Sequence, residues 1–330
     1  RMGQRNEMGR YPFHWHLVGD ASGQYVRNSS IHHTYNRALT IHQTNNTRVE
    51  NNVAYDNLGH AFFMEDGVEE GNVLTGNLGL VTRMPEGQYA LLGSDTTRSR
   101  NASGPSTFWI THPNNRVQNN HAGGSDGSGF WFAYPDLDLP NGYINNNVAH
   151  SNYHGWLLGM APTNGDEPNL NKDYLPPSVE PYIQNLQMYK NGLGIYSRVG
   201  GNGRKSSYRN VILADNYVGE ANTWISDLYE FLWVGASANY EPVSGNRPDL
   251  GRQGQVVGHI MYDGPAHIYD SYFAGFDRSN FTLFDQWGAN LKFTGHSMRN
   301  TRIQPGSFQV DFRNDYVGPV WFNGVIYDVD

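Results

Sequence analysis

The chain has 330 residues, no cysteine, and a formal charge of −8 from 23 basic and 31 acidic side chains. Zero cysteines exclude a disulfide framework and any cysteine-ligated zinc or iron–sulfur site. The acidic balance lacks the basic stripe that tracks a nucleic-acid backbone, so no nucleic-acid partner is expected.

Mean hydropathy is −0.62, and no run approaches the ~18 apolar residues of a membrane helix, so no membrane contact is expected of this stretch. Charged residues are only 16 % of the chain, below the ~25 % usual in globular domains. Glycine, asparagine and aromatic residues take their place, which points to β-structure with many tight turns. The chain opens at Arg1 without an initiator methionine and stops directly after a strand-like run. It reads as one domain over residues 1–330, a fragment of a larger protein, with no linker that would divide it.

The strand-like segments repeat. VRNSSIHHT (26–34), VENNVAYDN (49–57), EEGNVLTGN (69–77), VQNNHAGGS (117–125) and INNNVAHSN (144–152) are variants of one unit. A small or Asn residue recurs at Ser29, Asn52, Asn72, Asn120 and Asn147, in steps of 23, 20, 48 and 27, the 48 reading as two coils. Later, Asn191 and Asn216 stand 25 apart. A period of this length with short alternating apolar runs defines a solenoid. The Leu-x-x-Leu-x-Leu pattern is absent, and Asn suits both the left-handed backbone of a corner and hydrogen bonding along a stack. The fold expected is all-β, a right-handed parallel β-helix.

Residues 221–232 are the one candidate for helical periodicity, and their β-branched and aromatic content reads equally well as strand. Three Gly-, Pro- and Ser-rich segments, 83–105, 163–181 and 239–255, are expected to leave the coil as long loops that cap it or wall a groove.

Placing the segments YPFHWH (11–16), RALTIH (37–42) and HAFFME (60–65) in register gives the candidate site. Side chains alternate across a strand, so Phe13, Trp15, Leu39 and Ile41 share the core face. His14 and His16, Thr40 and His42, and Phe63 and Glu65 then point outward. Adjacent strands lie about 4.8 Å apart, which stacks His16, His42 and Glu65 in one column with His14 beside it. Three imidazoles and a carboxylate suit a divalent transition metal. The donor set leaves zinc, manganese and nickel open.

Glu65 and Asp66, with Glu69 and Glu70 nearby, form the densest acidic cluster and supply candidate catalytic carboxylates. Adjacent strand residues point opposite ways, so Glu65 and Asp66 serve one substrate only if a turn intervenes. Asp20 and Arg37 are further polar candidates, Arg37 as a clamp for a substrate carboxylate. Trp131, Tyr134 and Trp156, with Phe108, Trp109 and Phe132, are expected to offer flat faces to a polysaccharide. His32, His33, His121, His150 and His154 lack an aligned carboxylate and are read as structural.

The segments GRYPFHWHLVGD, NNVAYDNLGHAFFMEDGVEEGNVLTGNLGL, STFWITHPNNRVQNNHAGGSDGSGFWF and YDGPAHIYDSYFAGF resemble the parallel β-helix region of one family. It is the family of the cell-migration-inducing hyaluronan-binding protein, the transmembrane hyaluronidase and the fibrocystin-like proteins. The resemblance is long and ordered over residues 9–160 and returns at 254–276. It implies a right-handed parallel β-helix, an extracellular or cell-surface location, and an association with hyaluronan depolymerisation.

Together these readings predict metal-assisted depolymerisation of a uronic-acid polysaccharide, by hydrolysis or elimination. The catalytic candidates are Glu65, Asp66 and Arg37, and the metal ligands are His14, His16, His42 and Glu65. The alternative is a non-catalytic glycan-binding or adhesion module that relies on the aromatic residues.

Overall fold

The computed structural model describes residues 1–5, 7–85, 104–159, 174–199, 205–222, 225–241, 255–261, 265–286, 297–307, 310–311, 321–322 and 326–327. Among them every element is a strand, and the named strands pair in parallel with the equivalent strand of the next coil. One face is an 11-stranded sheet that takes one strand from each coil, beginning Phe13–Asp20, Leu39–Asn45, Phe62–Met64 and Ser106–Ile110. The remaining strands form a 19-stranded sheet that bends around a corner and supplies the other two faces. The architecture is a parallel β-helix. Residues 221–232 lie across the strands Val218–Asn222 and Ile225–Val234, so the strand alternative holds there.

The corners follow from asparagine chemistry. Between two faces each coil places one residue in the left-handed region, Asn28 at φ 52°, Asn51 at 53°, Gly76 at 68°, Asn119 at 58° and Asn146 at 54°. Asn and Gly tolerate this conformation better than other residues. The next residue turns inward and joins a ladder. Asn52 donates from its backbone N–H and Nδ2 to Asn77 Oδ1 at 3.1 and 3.0 Å, and Asn77 does the same to Asn120 at 3.0 Å. Asn120 continues the ladder to Asn147. These buried amides satisfy backbone groups that the bend removes from the strand ladder.

The ladder corrects the repeat register in one place. Asn77, not Asn72, belongs between Asn52 and Asn120. Asn72 lies in a second ladder, accepting from Thr47 and donating from its N–H to Asn115 Oδ1 at 2.9 Å. The interval that read as two coils is one. Strand Phe62–Met64 pairs directly with Ser106–Ile110, so that coil is lengthened by the segment between them. Asn191 and Asn216 fall on a third ladder that starts at Asn152.

The interior is an apolar column. Phe62, Phe108 and Phe130 stack with ring centroids 4.8 and 4.7 Å apart, and Trp156 and Leu158 extend the same inward parity. Each fully buried ring of this kind contributes roughly 1.5–3 kcal/mol. Most of the three expected loop segments, residues 86–103, 160–173 and 242–254, lie outside the described residues.

Candidate metal centre

Strands Phe13–Asp20 and Leu39–Asn45 pair with Phe13 opposite Leu39, His14 opposite Thr40, Trp15 opposite Ile41 and His16 opposite His42. Leu39, Thr40 and Ile41 in turn face Phe62, Phe63 and Met64. This is the register read from the sequence. One nitrogen from each of His14, His16 and His42 lies within 4.8 Å of the others, and His16 Nδ1 is 3.0 Å from His42 Nδ1. Two nitrogens bound at ~2.0–2.1 Å to one ion sit roughly 3–3.4 Å apart, so the His16–His42 pair is spaced for a shared cation, with His14 as the neighbouring donor.

Hydrogen bonds around the cluster select tautomers. A carbonyl only accepts, so His14 Nδ1–H donates to Gly9 O at 3.0 Å and leaves Nε2 with a free lone pair. That Nε2 is buried and has no hydrogen-bond partner, as is Thr40 Oγ1 on the neighbouring strand. Burial holds His14 below the ordinary histidine pKa, with the Gly9 carbonyl pulling the other way, which favours the neutral, ligating form. His42 Nε2 lies 3.0 Å from Asp66 Oδ2, an arrangement that fixes a ring and raises its ligand strength. Its Nδ1 faces His16 and lies 3.6 Å from Glu65 Oε2.

The carboxylates take separate positions because the strand ends at Met64. A turn follows, so Glu65 and Asp66 both reach His42 although they are sequence neighbours. Glu69, fully buried, organises that turn. Its Oε1 accepts from the backbone N–H groups of Gln43 and Asp66, both at 3.0 Å. Its Oε2 accepts from Gly67 at 3.0 Å and Val68 at 3.2 Å. The sequence showed Glu69 only as part of an acidic run. A Glu two residues after the Asp-Gly pair was the available signal for a carboxylate folding back on its own turn.

Three expectations are corrected here. Arg37, read as a substrate clamp, has no exposed surface. Its guanidinium lies 3.6 Å above the Phe63 ring, donates to Tyr11 Oη at 2.9 Å and approaches Glu65 Oε1 at 3.5 Å, so it positions Glu65. Trp131, Tyr134 and Trp156 are 0 % exposed and present no face to a glycan. Trp156 and Tyr134 point into the coil, whereas Trp131 points outward into a second apolar cluster with Phe63, Trp109 and Leu157. Phe108, Trp109 and Phe132 are equally buried. The outward rings pack on one another across coils, Trp131 meeting Trp109 edge to face at 4.4 Å and donating from Nε1 to Gly159 O at 3.2 Å. Asp20 stands apart, capped by Ser22 and Asn46.

The fold and this cluster define a parallel β-helix with a histidine-rich, carboxylate-flanked centre on the outer face of its first coils. Residues 1–157 match the family model described as the CEMIP beta-helix, in line with the resemblance carried by the motifs. The chain is 30 % identical over 359 residues to the human cell surface hyaluronidase CEMIP2, covering 82 % of this chain and 25 % of that protein. It is 28 % identical over 357 residues to the mouse cell migration-inducing and hyaluronan-binding protein, covering 83 % and 26 %. With mouse Fibrocystin-L it shares 41 % identity over 169 residues, 47 % of this chain and 4 % of that one. The chain thus spans about a quarter of the length of the hyaluronidase and hyaluronan-binding relatives.

Proposed function

We propose that the chain carries the site of a metal-assisted depolymerase for a uronic-acid polysaccharide of the hyaluronan type, working outside the cell or at its surface. The observation that carries the reading is the convergence of His14, His16 and His42 with a buried, unpartnered Nε2 on His14. The relatives named as hyaluronidases and as hyaluronan-binding support the substrate class.

The donor set fits a divalent transition metal such as zinc, manganese or nickel, held by the three imidazoles and Glu65. Such an ion would supply Lewis acidity toward a substrate carboxylate or an attacking water. The protein groups do the rest. Gly9 and Asp66 hold the tautomers of His14 and His42, and Glu69 holds the turn that carries Asp66. Arg37 engages Glu65 Oε1, which leaves Oε2 on the His42 side either as the fourth ligand or, with the imidazoles alone holding the ion, as the base that takes a proton from substrate or water. The binding-module alternative loses its anchor, because the aromatic residues it relied on are buried.

The test is chain shortening of hyaluronan, followed by light scattering, with protein that has been stripped by chelator and then reloaded with zinc, manganese or nickel. Shortening by one reloaded form and not by the stripped form is expected. No shortening by any reloaded form contradicts the reading. Ultraviolet-absorbing unsaturated uronate ends identify elimination, and their absence alongside new reducing ends identifies hydrolysis.

A further inference from the structure

A second surface lies on the face that begins with strands Tyr25–Arg27, Arg48–Glu50, Val73–Thr75 and Arg116–Gln118. Strand pairing sets its outward side chains in two columns across ten coils. Arg27, Arg209 and Arg299 share one column, on the first, seventh and tenth of these coils, and Arg116 stands in the neighbouring column on the fourth; all four are exposed. Three coils at ~4.8 Å each separate successive arginines by roughly 14 Å.

These four guanidinium groups have no carboxylate partner among the described residues. The two acidic side chains in the columns are already neutralised. Glu50 accepts from Arg48 Nε at 2.7 Å, and Asp227 from Lys205 Nζ at 2.6 Å. A chain of net charge −8 therefore displays a positive stripe along one face. Between the first and third arginines the register supplies Thr75, Gln118, Asn145 and Gln184, hydroxyl and amide groups suited to sugar hydroxyls. Tyrosine rings flank the stripe: Arg27 lies 4.2 Å over Tyr25, Arg116 4.7 Å over Tyr143, and Arg209 5.2 Å over Tyr229. A ring stacked under a guanidinium holds it extended, with its N–H edges toward solvent.

We propose that this arginine–tyrosine stripe is a binding track for an extended polyanionic polysaccharide laid along the solenoid axis, separate from the histidine centre. The choice of a uronate polymer rests on the functional reading above; the track itself rests on the register. One sugar carboxylate cannot bridge two arginines roughly 14 Å apart, so affinity depends on chain length. Polyvalent contact then holds the polymer while a distant segment occupies another site.

The experiment is calorimetric titration of chelator-treated full chain with hyaluronan oligosaccharides of increasing length and with neutral chitin oligosaccharides. Wild type and Arg116→Ala/Arg209→Ala are compared, with thermal unfolding to verify the fold. Wild-type affinity is expected to rise with length, to fall with salt and to exceed that for the neutral chain. The arginine variant is expected to bind long oligosaccharides about tenfold or more weakly. An arginine variant that folds and binds as wild type overturns the proposal. So does equal affinity for neutral oligosaccharides. Retained cleavage with an ineffective stripe substitution removes the track alone. Stripe-dependent binding without cleavage by any metal form removes the depolymerase reading alone.

Discussion

His16 and His42 occupy one register position on adjacent parallel strands, and their Nδ1 atoms face each other at 3.0 Å. A solenoid puts equivalent residues of successive coils side by side without any loop having to be shaped for the purpose. Two imidazoles separated by 26 residues in sequence thereby become neighbours, and His14, two residues away on the same face, completes the group.

The buried carboxylate of Glu69 is the support beneath this centre. Glu69→Gln replaces one acceptor oxygen with a donor, facing backbone N–H groups that already donate there. We expect a loss of about 2–4 kcal/mol in urea unfolding and weaker metal retention than in wild type. A variant with unchanged stability and metal content would show that the turn holds itself.

The asparagine ladder predicts a similar cost far from the site. Asn120 accepts two bonds from Asn77 and donates to Leu74 O and Asn147 Oδ1 while fully buried. Asn120→Ala leaves buried donors unpaired and is expected to cost about 2–4 kcal/mol, read as a lower urea midpoint. Asn146→Ala, at the exposed corner position next to the ladder, should cost less. The reverse ranking would refute the account of the corners.

Trp156 separates packing from recognition. It is fully buried against Phe130 and Phe132, so Trp156→Ala is expected to lose about 3–5 kcal/mol of stability. Below its unfolding range the variant should bind hyaluronan oligosaccharides as wild type does. A specific loss of glycan affinity in folded Trp156→Phe would restore the aromatic-platform reading.

His154 supplies a pH test. Desolvation pushes its pKa down to about 3, against ~6.5 in the unfolded chain. Between these values the unfolded state binds a proton that the folded state does not. Stability from this group is therefore complete above pH ~6.5 and falls as pH drops toward 3, by up to about 1.4 kcal/mol per pH unit. Urea midpoints for His154→Gln should decline less steeply over this range than those of wild type. Parallel declines would show that His154 does not bear the acid sensitivity.

Much of this arrangement was legible in the sequence because a β-helix is locally periodic. The Asn-rich corners set the coil, and alternation within YPFHWH and RALTIH was enough to put His14, His16 and His42 on one outer face. What escaped was anything that periodicity does not encode. Asn72 and Asn77 both follow glycine, and only pairing across coils distinguishes their ladders. Outward parity for Trp131 was compatible with exposure, yet it packs edge to face against Trp109 within an apolar cluster and has no exposed surface. Arg37 looked like a surface clamp because its long side chain gives no hint of direction, whereas the ring of Phe63 and the hydroxyl of Tyr11 draw it inward.

The most direct test of the histidine centre is elemental analysis of protein purified without a metal-affinity tag, comparing wild type with His16→Ala/His42→Ala. The account predicts about one equivalent of a divalent transition metal in wild type and none in the variant. A wild-type protein that holds no metal, even after soaking with zinc, manganese or nickel, would contradict it.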